Sequence, residues 1–306
     1  MTDKTNAVPE LTAKLELDAK AQLGEGALWH PIARKLFWVD IEGKALHLYN
    51  PESGKDKVLD VGARIGTVVP AQDGGALVAL QHGIYHIDTQ TGKLSFLTNP
   101  IKQEDIRFND GKCDPAGRFW VGTMALDKRT GGADLYMLDL NGKVYHKLGN
   151  LTISNGIVWS LDKKTMYFTD TPTQQVKAFD YDVASGEISN ERVIIEIPEE
   201  EGAPDGMTLD AEGNLWVALH GAGAVAKYNP NTGALLQKVK VPAKKTTSCA
   251  FGGDDLATLY ITTAREGLTQ EQLKEYPESG GLFSVEPGVR GVPAAFYKGA
   301  VEQLMN

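Results

Sequence analysis

The stretch Ala203–His220, APDGMTLDAEGNLWVALH, decides the fold. It opens on a carboxylate and a glycine, Asp205-Gly206, before a short strand-like piece, Met207-Thr208-Leu209. A turn follows at Asp210–Gly213, where short polar side chains and a glycine suit a chain reversal. Leu215, Val217 and Leu219 then alternate with Trp216, Ala218 and His220. That period of two predicts a strand packed on both faces.

Variants of this unit recur along the chain, with starts near residues 25, 65, 109, 155, 205 and 248. Each runs strand, turn, strand, loop, strand, turn, and then a weaker fourth strand. The fourth strands are visible in LSFLT (94–98), VYHKL (144–148), RVIIEI (192–197) and LLQKVKV (235–241). A period of roughly 40 to 50 residues is that of a four-stranded propeller blade. The expected architecture is therefore all-β: one six-bladed β-propeller domain over residues 1–306, with four antiparallel strands per blade. Closure by the chain termini would hide two sheet edges. Two segments are candidates for the closing strand, LELDA (15–19) and AAFYKG (294–299). Arg265–Gly280 interrupts the sixth unit and reads as a loop insertion with a short helix around LTQEQLKE.

The 306 residues carry a formal net charge of -9, which argues against a nucleic-acid backbone as partner. The two cysteines, Cys113 and Cys249, are too few for a disulfide framework and are expected reduced and buried. The first twenty residues lack an apolar core and a cleavage pattern, and no apolar run approaches membrane-spanning length. A cytoplasmic, monomeric enzyme or binding protein is the expectation.

The first strand of each blade lines the central channel, so the residue before its first glycine sits at one mouth. Those positions are Glu25, Ile65, Asp110 (with Asn109 beside it), Asn155, Asp205 and Ser248. Glu25, Asn155 and Asp205 are oxygen donors. Two carboxylates and an amide suit one divalent cation, calcium first, with magnesium or manganese as alternatives. Zinc is a further alternative, although no His or Cys is placed to favour it. Each Asp-Gly or Asn-Gly pair taken alone is equally a turn signal; three donors at equivalent positions tip the reading to a metal site. Arg107 and Asn109 are two apart in RFND and point to one side if extended. They are candidates to hold a substrate, with a surface salt bridge as the rival reading for Arg107. Loops at Asp127–Arg129, Thr171–Thr173, His220–Gly223, Asp40–Glu42, Gln81-His82 and the Arg265 insertion should overhang the site. His220 is either a proton carrier or a packing residue. Trp29, Trp38, Trp120, Trp159 and Trp216 are expected to pack between blades.

With these residues placed, the chain resembles the regucalcin/gluconolactonase family, also called senescence marker protein-like. The motifs are LGEGALW (23–29), RFNDGKCDPAGRFWVGTM (107–124), SNGIVWSLD (154–162), FDYDVASGEISN (179–190), PDGMTLDAEGNLWVA (204–218) and TTSCAFGG (246–253). The resemblance implies a six-bladed propeller with one divalent cation held by Glu25, Asn155 and Asp205. It implies substrate contacts from Arg107 and Asn109, and Asp205 as acid/base. An acidic substrate-contacting position after GTM in the animal members is represented here, if at all, by Asp127. The implied activity is hydrolysis of a small-molecule sugar lactone to its aldonic acid. A non-catalytic calcium-binding scaffold, and a propeller esterase or phosphotriesterase, are the competing classes.

Overall fold

The structure is a computed structural model and describes residues 8–301. It is all-β apart from short helical pieces, with four four-stranded sheets and one nine-stranded sheet, an arrangement consistent with a β-propeller. The four small sheets begin with strands Gly24–His30, Ile65–Pro70, Ile106–Cys113 and Ser154–Trp159. The nine-stranded sheet holds the fifth and sixth units, which begin with Ala203–Leu209 and Lys245–Gly252. Only the pair His220↔Lys245 joins its two lobes.

The six first strands touch in a closed cycle, each against the next and the sixth against the first. Each unit buries apolar side chains on both sheet faces, and the core is shared out between neighbours. Val39 and Leu46 of the first unit pack with Val68 and Val78 of the second. The series continues around to Trp29 and Trp38 of the first unit, which pack with Tyr260 and Leu282 of the sixth. All five tryptophans lie in these inter-sheet clusters. Cys113 and Cys249 are buried and unpaired.

The N-terminal region supplies edge strands to the fifth and sixth units. Lys14–Leu17, which overlaps the LELDA candidate over residues 15–17, pairs antiparallel with Leu282–Val285 and completes the last unit. Glu10–Thr12 adds a parallel strand to Leu235–Lys240. The other candidate, residues 294–299, forms no strand. It contributes one isolated bridge, Ala71↔Tyr297, and wedges Tyr297 into the cluster between the second and third units. The Arg265 insertion carries the expected helix, Gln270–Glu275, started by a Thr269 capping box.

A repeated turn device holds the first two strands of a unit together. In DPAGRFW the buried Asp114 accepts from the Arg118 amide at 3.0 Å and from the Trp120 indole at 2.9 Å. In DAEGNLW, Asp210 accepts from the Asn214 amide at 2.8 Å and the Trp216 indole at 2.9 Å. Asp114 further accepts from Arg118 Nε at 2.6 Å and Tyr181 Oη at 2.7 Å. Asp114→Ala would strand a buried guanidinium, an indole N–H and a phenol. It is expected to cost about 3–5 kcal/mol, read as a lowered unfolding midpoint in urea. Asp162→Ala, in an exposed turn of the fourth unit, is expected to cost under about 1 kcal/mol.

Candidate metal centre and substrate cleft

Each first strand carries a register shift at the same level. Two residues oppose one between Glu25 and Leu28, Phe108 and Gly111, Ser154 and Ile157, and Pro204 and Met207. Shorter slips occur between Ile65 and Thr67 and between Thr246 and Ser248. A bulge re-aims a side chain that a regular ladder would leave on a sheet face. The bulged residues here include Asn109, Asn155 and Asp205, and Glu25 borders its own bulge. The register levels Asn109 and Thr247 with Asn155 and Asp205, where the sequence spacing had suggested Asp110 and Ser248.

The glycines after Asn155 and Asp205 are not turn residues, whereas Gly26 after Glu25 does take a left-handed φ of 58°. Gly156 and Gly206 lie within strands and have no positive φ. A Cβ at Gly156 would sit 2.5 Å from the Asp205 carbonyl oxygen, and one at Gly206 would sit 2.6 Å from Ser248 Oγ. The glycines let neighbouring first strands close on the axis.

Glu25, Arg107, Asn109, Asn155 and Asp205 are all buried and line one cleft of about 360 Å³. Arg107 Nη1 donates to the Phe108 carbonyl at 2.9 Å and to Asn109 Oδ1 at 2.7 Å. Asn109 Nδ2 donates to the Ser154 carbonyl at 2.8 Å and to Asn155 Oδ1 at 3.2 Å. Asn155 Nδ2 donates to Thr171 Oγ1 at 2.8 Å, which turns its amide oxygen toward Asn109 and the cleft. The strand starts are pinned from behind. Asp40 accepts from the Gln22 and Leu23 amides, and Asp170 from those of Thr152 and Ile153.

Two buried carboxyl groups dominate the electrostatics of the cleft. Glu25 and Asp205 bring their carboxyl groups within hydrogen-bonding reach of each other. Burial, then Asp110 nearby, push Glu25 up from its ordinary 4.5 to about 8. Burial, then Glu25 and Asp110, push Asp205 well up too. Asp205 Oδ1 is buried and meets no donor. A buried acceptor without a partner is costly, and two facing carboxylates are costlier still. Among the described residues no three His, Cys, Asp or Glu side chains cluster with ligand spacing. The set here is two carboxyls and an amide oxygen, a hard-donor set that fits a hard divalent cation. Glu25, Asn155 and Asp205 are the residues that would hold it.

Asp127 does not reach the cleft. Its carboxylate accepts from Arg129 Nη1 at 3.0 Å, and Arg129 also binds Asp105 at 2.6 Å. The side chain is 62% exposed, so the geometry gives it no substrate contact. Its neighbour Lys128 lines the cleft instead, as do Thr171, His220 and Glu266 from the overhanging loops. Arg64 and Lys245 also line it, and the sequence analysis passed over both. Lys245 occupies the register position of Arg107, two residues before the donor level, which is the signal that could have found it. His220 is pushed down to about 4, first by burial and then by Lys245 and Lys128, and so faces the cleft neutral.

The raised pKa values set the pH response of the metal-free protein. Between the ordinary and raised values the folded chain binds more protons than the unfolded one, so stability falls as pH rises. In chelator, the melting temperature is expected to drop between about pH 5 and about pH 8. Glu25→Gln should flatten that drop and stabilise the metal-free protein at the upper end by about 1–3 kcal/mol, measured by calorimetry.

Residues 23–265 match the SMP-30/Gluconolactonase/LRE-like region. A Bacillus subtilis protein named as a sugar lactone lactonase, YvrE, is 38% identical over 289 residues, covering 93% of this chain and 99% of that one. Zebrafish (Danio rerio) regucalcin is 38% identical over 283 residues, covering 92% and 96%. The crystal structure of a calcium-binding protein, regucalcin from Agrobacterium tumefaciens, superposes with a TM-score of 0.91 at 30% identity, covering 95% and 99%. With the family model matched over residues 23–265 and relatives 38% identical over more than nine-tenths of this chain, the chain belongs to the SMP-30/gluconolactonase/LRE-like family.

Proposed function

We propose that the protein is a divalent-metal-dependent lactonase that hydrolyses a sugar lactone to the free hydroxy acid. The lactonase class follows from the family and from relatives such as YvrE. The six first strands in closed contact support a six-bladed ring, with its ligands at one mouth. The observation that carries the reading is the convergence of Glu25, Asn155 and Asp205 from three distant strands. Beside them Arg107 is held against Asn109.

In the overall step, water oxygen bonds to the ester carbonyl carbon and the ring C–O bond breaks. The ring oxygen leaves with a proton, and the product is a hydroxy acid. A bound divalent cation would supply Lewis acidity toward the carbonyl and lower the pKa of a water at the site. Asp205 brings an unpartnered carboxyl oxygen to that place and is the candidate proton acceptor. Arg107 and Asn109 are pre-set by their mutual hydrogen bond, so orienting a sugar ring costs them little further ordering. Thr171 holds Asn155 by its amide nitrogen and is itself anchored on the Pro204 carbonyl at 2.8 Å. This keeps the amide oxygen available.

Asp205→Ala is expected to abolish cation binding and lactone turnover together, with at least about 10³-fold loss in kcat. Arg107→Lys is expected to lower kcat/KM by about 10–100-fold, because an ammonium cannot reproduce the guanidinium fork. The deciding assay is a panel of aldonolactones, an aryl ester and a phosphotriester. Each is tested with chelator and with calcium, zinc, manganese and magnesium. Lactone turnover that is lost in chelator supports the reading. Tight calcium binding with no turnover would make the chain a calcium-binding protein instead, and wild-type activity in Asp205→Ala would remove Asp205 from the mechanism.

A further inference from the structure

The charges at the cleft mouth are not balanced among themselves. Of the acids that line it, Glu42 is committed to Arg64 at 2.8 Å. Glu25 and Asp205 lie buried at the donor level, and on the reading above their two negative charges are matched by the divalent cation they would hold. Glu266 alone then faces Arg107, Lys128 and Lys245. Lys245 Nζ donates to the Glu266 backbone carbonyl at 2.5 Å, which leaves the lysine's charge unneutralised by that contact. Among the described residues, Lys128 and Lys245 form no ion pair.

The two lysines also oppose each other. Lys245 is pushed down first by burial, against which Glu266 pulls it up, and then by Lys128 and Lys244; His220, which lines the same cleft, is pushed down by burial and then by Lys245 and Lys128. Such a like-charge arrangement is destabilising unless it meets an anion. It is nevertheless built in. Lys128 has a left-handed φ of 56°, which a non-glycine residue adopts at a cost. The loop holding it there is tied by Asp127 to Arg129 and by Arg129 to Asp105. The acid suggested by the sequence for substrate contact thus serves to position a base. In a chain of formal charge -9, a mouth that gathers unpaired cations focuses a field of opposite sign to the whole.

We infer that the cleft takes a lactone bearing a second anionic group, carboxylate or phosphate, remote from the ring ester, with Lys128 and Lys245 setting this preference. The inference rests on the lactonase reading above. The group's chemistry is shared by two sources, a dicarboxylic sugar lactone and a phosphorylated one.

The test compares D-glucono-1,5-lactone, D-glucaro-1,4-lactone and 6-phospho-D-glucono-1,5-lactone on the metal-loaded wild type. At least one anionic lactone should exceed the neutral one in kcat/KM by about 10-fold or more, and this excess should shrink as salt rises. Which anionic arm prevails identifies the source. Lys128→Gln and Lys245→Gln should each cut the anionic-to-neutral ratio by about 5–10-fold, and the double variant should bring it near one. Lys163→Gln, at the cavity on the opposite mouth, should leave the ratio at its wild-type value. Equal or better turnover of the neutral lactone, or an unchanged ratio in the folded double variant, overturns the inference while leaving the lactonase reading intact. Absence of turnover with every lactone overturns the lactonase reading instead. Calorimetric titration with D-glucarate and with 6-phospho-D-gluconate then tests the subsite on its own. Binding of either that is lost in the double variant supports it, and binding of neither to wild type overturns it.

Discussion

Two carboxyl groups from distant parts of the sequence, Glu25 and Asp205, meet in a buried place where the Gly26 amide donates to Glu25 Oε2 at 3.0 Å and Asp205 Oδ1 has no donor. Most of the structure can be understood as the means of holding them there. Like charges in a desolvated space repel strongly, and a chain free to relax would separate them. It cannot relax because each carboxyl stands at a bulge in a first strand, and each first strand is clamped between two others. The inter-sheet clusters supply the apolar burial that offsets the local cost. The amide network from Arg107 through Asn109 and Asn155 to Thr171 fixes the remaining donor.

The same constraint explains a division of labour among aspartates. Asp40 and Asp170 accept backbone amides and lock the entry of two ligand-bearing strands. Asp114 and Asp210 tie the turn at the other end to a tryptophan indole. Their hydrogen bonds are satisfied within the fold, so they have no spare capacity for chemistry. Asp205 differs in having an oxygen with no partner. Among buried acids of similar sequence context, the unsatisfied one belongs to the site.

Function is divided by depth. The donor level holds the groups suited to a cation. The level above holds Arg107 and Lys245 in matching register positions, and the loops add Lys128, Thr171, His220 and Glu266. The deeper level is set by strands and is rigid; the upper one is set largely by loops, where side-chain identity is free to differ between relatives. On the proposed reading, chemistry and selectivity are carried by different levels of the same cleft.

The sequence by itself determined the repeating unit, the all-β class and the fourth strands, and it singled out Glu25, Asn155 and Asp205 as equivalent positions of the repeat. All of these follow from periodicity and from residues spaced by a constant unit, which local patterns encode directly. Tertiary structure alone decided what depends on register and on distance across the ring. It moved the third and sixth donor-level positions to Asn109 and Thr247, because a bulge adds a residue that spacing cannot register. It turned Asp-Gly and Asn-Gly from turn signals into points of strand-to-strand contact. It sent Asp127 into an ion pair with Arg129 and brought Lys128 and Lys245 to the cleft, because one residue's step along a loop reverses which side chain faces inward.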